Sequence, residues 1–222
     1  MNTSGRTEDK FPKIAPYDLD FESFLKLNRC QWSVDPDQAA LLIYDMQTWY
    51  VDRYEEPNGL LTNIEAIREV AERAGMPVIF AAADPVQHVA ERGIAADLWG
   101  PGIGVVTDAR CEDDEMHPRL TPKPEDFIIR KRKYSAFFQT DLEALLRRLN
   151  RSQIVLTGNY ANHGCTVTAI DAYMRNFKVF FVADALGAFD AASHEHALRT
   201  VTDICGYVTL TDRVVPQIIS TK

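Results

Sequence analysis

Apolar residues fall along this chain in two alternating rhythms. AALLIYDM (Ala39–Met46) is a nearly continuous apolar run, the pattern of a strand covered on both faces. NIEAIREVAERAG then places apolar residues at helical spacing, with a capping-box pattern at Thr62 and Glu65 to open the helix and Gly75 to stop it. PVIFAAA (Pro77–Ala83) predicts a second strand and DFIIRK (Asp126–Lys131) a third. Thr140 with Glu143 repeats the capping pattern ahead of DLEALLRRLN. SQIVLTGNY predicts the fourth strand, CTVTAIDAYMRN a helix, KVFFVADA the fifth strand, SHEHALRTVTDICG a helix and YVTLT a sixth strand. The stretch from Asp84 to Glu125 is rich in Gly, Pro and charge, with at most a short helix; a loop of that length is usually functional or mobile.

Strands alternating with helices predict an α/β protein, with a mostly parallel sheet of roughly six strands flanked by helices and joined by right-handed crossovers. At 222 residues the chain buries one substantial core, so one domain spanning 1–222 is expected. Residues 1–38 are expected to form an N-terminal extension packing on that domain.

Composition narrows the function classes. Hydrophobic residues make up 46% and charged residues 25%, an ordinary globular balance. A net charge of −8 speaks against a nucleic-acid or anionic-membrane partner, and RKRK (Arg130–Lys133) is too short a basic cluster to reverse that. No apolar run reaches membrane-spanning length and the N-terminus lacks a signal-peptide core. The four cysteines, Cys30, Cys111, Cys165 and Cys205, are scattered without a CxxC pair, as in a reduced cytoplasmic protein.

Ligands of parallel α/β sheets bind beyond the carboxyl ends of the strands. Three reactive residues fall there: Asp45 after the first predicted strand, Lys131 after the third and Cys165 after the fourth. Each has a plain structural alternative: a turn aspartate, a solvated lysine, a small packing residue. Their coincidence at one sheet edge raises a shared crevice as the functional reading. In it, a helix N-terminus and Lys131 would lower the pKa of Cys165.

LLIYDMQTWYV, DLWGPG, KRKYSAFFQTDL, GNYANHGCTVTAIDAYMRN and FFVADALGAFD, in that order, resemble the isochorismatase family, in particular isochorismate hydrolases of siderophore pathways and their phenazine-pathway relatives. The resemblance covers about Phe11 to Val215. It implies a Rossmann-like three-layer fold and matches the family's catalytic aspartate to Asp45, its lysine to Lys131 rather than Lys133, and its cysteine to Cys165. It implies a non-proline cis peptide just ahead of Tyr160. Arg92, Trp99, Tyr160 and Gly164 are implied as substrate-pocket residues, with Tyr50 and Asp84 expected beside them. Asp84 stands where the family usually has Gln, and Asn162 where it tends to have His. No fused carrier-protein domain is expected.

Related nicotinamidases hold a metal with Asp-x-His-x-His after the second strand. Here AADPVQHVAERG offers only His88 as an imidazole, too few ligands for a three-ligand site, so no metal and no cofactor are expected. His163 reads as a residue behind the pocket or on the surface, and His194 and His196 belong to a late helix. The resemblance implies hydrolysis of the enol-pyruvyl ether of isochorismate, with Asp45 as general acid and water as nucleophile. The alternatives are the same reaction on 2-amino-2-deoxyisochorismate, with Asp84 facing the amino group or else paired with Arg92, and a Cys165-dependent amidase. The expected partner is a small chorismate-derived molecule, and the expected assembly a homodimer or larger homo-oligomer.

Overall fold

A computed structural model describes residues 11–84, 92–100, 102, 103 and 115–220. Six strands, β1 (Ala39–Tyr44), β2 (Val78–Ala83), β3 (Phe127–Lys131), β4 (Gln153–Asn159), β5 (Lys178–Gly187) and β6 (Tyr207–Thr209), form one sheet in the order β3–β2–β1–β4–β5–β6. Every pairing is parallel. This is the doubly wound order, in which connections leave β1 and β4 in opposite directions and open a crevice between their ends. Five of the six strands fall within the runs named from sequence, and β5 extends two residues beyond KVFFVADA, to Gly187.

Helices cover both faces. The helices are α1 (Phe21–Leu25), α2 (Thr48–Val51), α3 (Asn58–Ala74), α4 (Ile94–Trp99), α5 (Leu142–Arg148), α6 (Thr166–Met174), α7 (Ala191–Ile204) and α8 (Thr211–Ile219). The fully buried strand β1 shows why its run has no polar position: Leu41 and Ile43 pack with Leu61, Ile64 and Ile67 of α3 and Val214 of α8, while Leu42 and Tyr44 pack with Leu145 of α5, Ala169 of α6 and Leu198 of α7. Three layers result, with two cores separated by the sheet.

The N-terminal segment crosses this body. Ile14 is buried and exchanges backbone hydrogen bonds with Arg53 and Glu55. Tyr17 Oη meets His194 Nδ1 at 2.9 Å and accepts from the Ala188 N–H at 2.9 Å. Phe11 lies among Trp49, Tyr50, Trp99, Tyr160 and Phe189.

Both capping boxes expected from sequence turn out differently. Helix α3 begins at Asn58, so Thr62 and Glu65 sit inside it, where they receive Arg119: Nη2 donates to Thr62 Oγ1 at 3.0 Å and Nε to Glu65 Oε1 at 2.9 Å. Glu143 reaches Arg175 Nη1 at 2.7 Å rather than back to the start of α5. Gly75 does end α3, in the left-handed conformation at φ 74°. The helices α1, α2 and α8 lie outside the sequence-based expectation; α8 carries Pro216 in its interior.

Candidate active site

Strand β1 delivers Asp45 to the crevice. The chain leaves the strand with Asp45 at φ 47°, a left-handed conformation that Asp tolerates better than most residues. Its N–H is anchored on Ala81 O at 2.8 Å. Gln47 fixes the turn from below: its Oε1 accepts from the Ala83 N–H at 2.8 Å and its Nε2 donates to Ala83 O at 3.1 Å.

Strand β3 lies at the sheet edge, so its residues alternate. Ile129 and Lys131 turn inward and are buried, while Ile128 and Arg130 are exposed. Lys131, the last residue of β3, extends its ammonium to Asp45 Oδ2 at 2.7 Å, over the ring of Tyr44 at 4.3 Å.

Strand β4 completes the crevice. Gly158 has φ 108° and lies opposite Tyr44, and a Cβ there would stand 2.1 Å from Tyr44 O, so only glycine allows β1 and β4 this approach. The next peptide bond, Asn159–Tyr160, is cis, as the resemblance implied. A single π-type turn, Ala161–Cys165, then feeds α6. Within it a Cβ on Gly164 would meet Tyr44 Oη at 2.2 Å. The Tyr44 hydroxyl donates to Tyr134 O, so one buried tyrosine ties all three segments together.

These elements enclose a cavity of about 280 Å³, near the low end of the range for small-molecule sites. Four cations, Arg92, Lys131, Arg132 and Lys133, and one carboxylate, Asp45, line it together with aromatic rings. Asp45 Oδ1 accepts no hydrogen bond although it is sealed from solvent. Burial raises the Asp45 pKa above the ordinary carboxylate value, against the opposing pull of Lys131.

Of the residues expected from sequence, Asp45, Lys131, Tyr50, Arg92, Trp99, Tyr160 and Gly164 line this cavity. Two do not. Asp84 instead accepts from Arg132 Nε through Oδ2 at 2.9 Å. Cys165 is buried within the core on the side of α5, α6 and α7. The expected lowering of its thiol pKa is reversed: burial pushes it well above the usual value, Asp45 adds to the rise, and Lys131 opposes it. His88 and Cys111 lie outside the described residues. Among the described residues no three His, Cys, Asp or Glu side chains gather as a metal would require.

Phe11, Tyr134, His163 and Phe189 also line the cavity, and sequence reasoning did not single them out as site residues. Tyr134 Oη accepts from Trp99 Nε1 at 2.6 Å. Tyr134 was within sight, since it belongs to the YSAFF motif. No sequence periodicity marks the other three.

The isochorismatase domain family model matches residues 39–213. The chain belongs to the isochorismatase family. It is 33% identical over 211 residues to an isochorismatase of Bacillus subtilis, covering 93% of this chain and 66% of that relative, so this chain spans slightly less than two thirds of its length. It is 35% identical over 206 residues to a phenazine biosynthesis protein of Pseudomonas fluorescens, covering 92% of this chain and 98% of that one. Among solved structures, a cysteine hydrolase from Pseudomonas syringae superposes with a TM-score of 0.78 at 25% identity, over 86% of this chain and 97% of its own. Within this family of hydrolases, the Asp45–Lys131 pair and the cavity beside it are the features on which a reaction can be argued. No helix among the described residues is long and apolar enough to cross a membrane.

Proposed function

We propose that this isochorismatase-family protein hydrolyses isochorismate, cleaving its enol-pyruvyl ether to pyruvate and a dihydro-dihydroxybenzoate. The observation that carries the reading is Asp45, whose side chain lines the cavity: one carboxyl oxygen is held by Lys131 at 2.7 Å, and the other is sealed and has no hydrogen-bond partner. Burial raises its pKa, so the carboxyl keeps its proton to higher pH than a solvated one. That suits a general acid. The proton passes from Asp45 to the methylene carbon of the enol-pyruvyl group, giving an oxocarbenium-like carbon. Water adds there, the carboxylate takes back a proton, and the hemiketal collapses to pyruvate and the ring alcohol. An excess of lining cations over carboxylates suits a substrate with two carboxylates. The similarity to the isochorismatase of Bacillus subtilis supports the same choice.

Amide hydrolysis by Cys165 finds less support, because that reaction needs a thiolate and burial disfavours one there. Asp84 is bonded to Arg132 and lies off the cavity wall, so it lends no support to recognition of an amino substrate. The reading carries with it a cytoplasmic homo-oligomer, whose assembly light scattering measures. The deciding experiment offers purified protein isochorismate, 2-amino-2-deoxyisochorismate, chorismate and nicotinamide, and measures pyruvate and ammonia. Pyruvate from isochorismate at the highest kcat/KM is the expected result. Ammonia from nicotinamide without pyruvate from any ether would overturn the reading.

A further inference from the structure

His163 lines the cavity, yet the reaction above makes no use of it. Its ring is hemmed in by Phe189, Trp99 and Tyr134, with centroids 4.9, 5.2 and 5.8 Å away. Nδ1 is sealed from solvent and bonds to nothing. A neutral imidazole carries one N–H and one lone pair, and an orphaned buried N–H is the rarer arrangement. The proton is therefore assigned to Nε2, the nitrogen left to the cavity. Burial lowers the pKa of His163 and keeps this neutral form dominant. Two donors of the cavity wall are engaged elsewhere: Lys131 donates to Asp45, and the Trp99 indole N–H to Tyr134.

We propose that His163 determines specificity for the substrate by donating a hydrogen bond from Nε2 to one of its oxygen atoms. The inference rests on the isochorismate reading, since that molecule brings a ring hydroxyl as well as the two carboxylates that suit the lining cations Arg92, Arg132 and Lys133. The three surrounding rings hold the imidazole in one orientation before substrate arrives, which reduces the ordering cost of binding. The same rings line the space around the imidazole, so a bound substrate lacking an oxygen at this point leaves the N–H unpaired. A site built in that way rejects such a substrate more strongly than an apolar wall would.

The test compares wild type, His163→Val and His163→Gln in pyruvate release from isochorismate, with a thermal melt of each. In His163→Val, KM rises about ten- to a hundred-fold while kcat stays within about three-fold of wild type. His163→Gln, whose amide nitrogen reaches near the Nε2 position, recovers most of that loss. An unchanged KM in His163→Val overturns the inference and leaves the functional reading intact. So does a loss that follows the melting temperature and is not recovered by Gln. If wild type releases no pyruvate from isochorismate, the functional reading falls and this inference with it. Should His163→Val fail to fold, the imidazole ¹⁵N signals of the intact enzyme decide. Saturation with the dihydro-dihydroxybenzoate product moves one histidine's Nε2 signal, and no movement in any of the five histidines overturns the proposal.

Discussion

Asp126 and Asp45 are each buried against a cation at 2.7 Å, and their side chains are similarly enclosed, 2% and 10% exposed. Their surroundings differ. Asp126 Oδ2 receives Arg68 Nη2 and also the Lys123 N–H at 2.8 Å, while Arg68 places its remaining donors on Glu72 and on Thr121 O. Asp45 holds Lys131 through one oxygen and leaves the other unbonded beside a cavity. A buried ion pair offsets its desolvation only when the remaining donors and acceptors are also satisfied. The Arg68 pair meets that condition and fastens α3 to the approach of β3. The Lys131 pair does not meet it, and that unpaired acceptor is what sets Asp45 apart as the proposed general acid.

The largest effect expected from this contrast is on turnover. Asp45→Asn keeps an oxygen for the Lys131 ammonium but has no proton to transfer, so pyruvate release falls about 10²- to 10⁴-fold in a protein that still folds. Steady-state assay beside a thermal melt checks both halves; activity within a few-fold of wild type would remove Asp45 from the reaction. The opposite outcome is expected for Asp126→Ala, which takes one of two carboxylates from Arg68 and leaves it Glu72. Unfolding free energy falls by about 1–3 kcal/mol, read by urea titration, while kcat of the folded enzyme is unaltered.

His194 sharpens the comparison with a buried group that is neither ion-paired nor catalytic. Burial lowers its pKa from 6.5 to about 4. Below pH 6.5 the unfolded chain takes up a proton that the folded one refuses, so stability is full above that pH and falls as pH drops towards 4. The loss at pH 5 is about 2 kcal/mol relative to neutral pH. His194→Gln should flatten that part of the stability–pH curve, and a curve identical to wild type would contradict the assignment. The smallest effect is expected at Cys165. Its thiol is off the cavity wall, so Cys165→Ala keeps kcat within about five-fold; a trapped covalent adduct in wild type together with a dead alanine variant would reinstate the nucleophile.

The strands were legible because each contains a short apolar stretch, continuous in β1 and alternating in β3, and the parallel sheet followed from their alternation with helices. Asp45 and Lys131 were legible as residues at strand ends. What escaped was set by long-range contacts. Thr62 and Glu65 have the spacing of a helix start, but their partner is Arg119, 57 and 54 residues away. Asp84 was paired on paper with Arg92, its neighbour along the chain, whereas the sheet brings Arg132 to it from the end of β3. The reactivity expected of Cys165 considered its neighbours and omitted its burial, which dominates. His163 and Phe189 face the cavity through the geometry of the turns that carry them, and neither turn has a repeating pattern to betray which side chain points inward.

The segment that crosses the body before β1 gives the binding chamber a wall of a different kind. The family model matches from residue 39, yet Phe11 stands 4.9 Å from Trp49 and 5.0 Å from Trp99, ring to ring, and forms part of the cavity wall. One side of the chamber is thus made by chain that belongs to no strand of the sheet. A substitution at Phe11 can change the shape of the chamber while the sheet that carries Asp45 and Lys131 stays as it is.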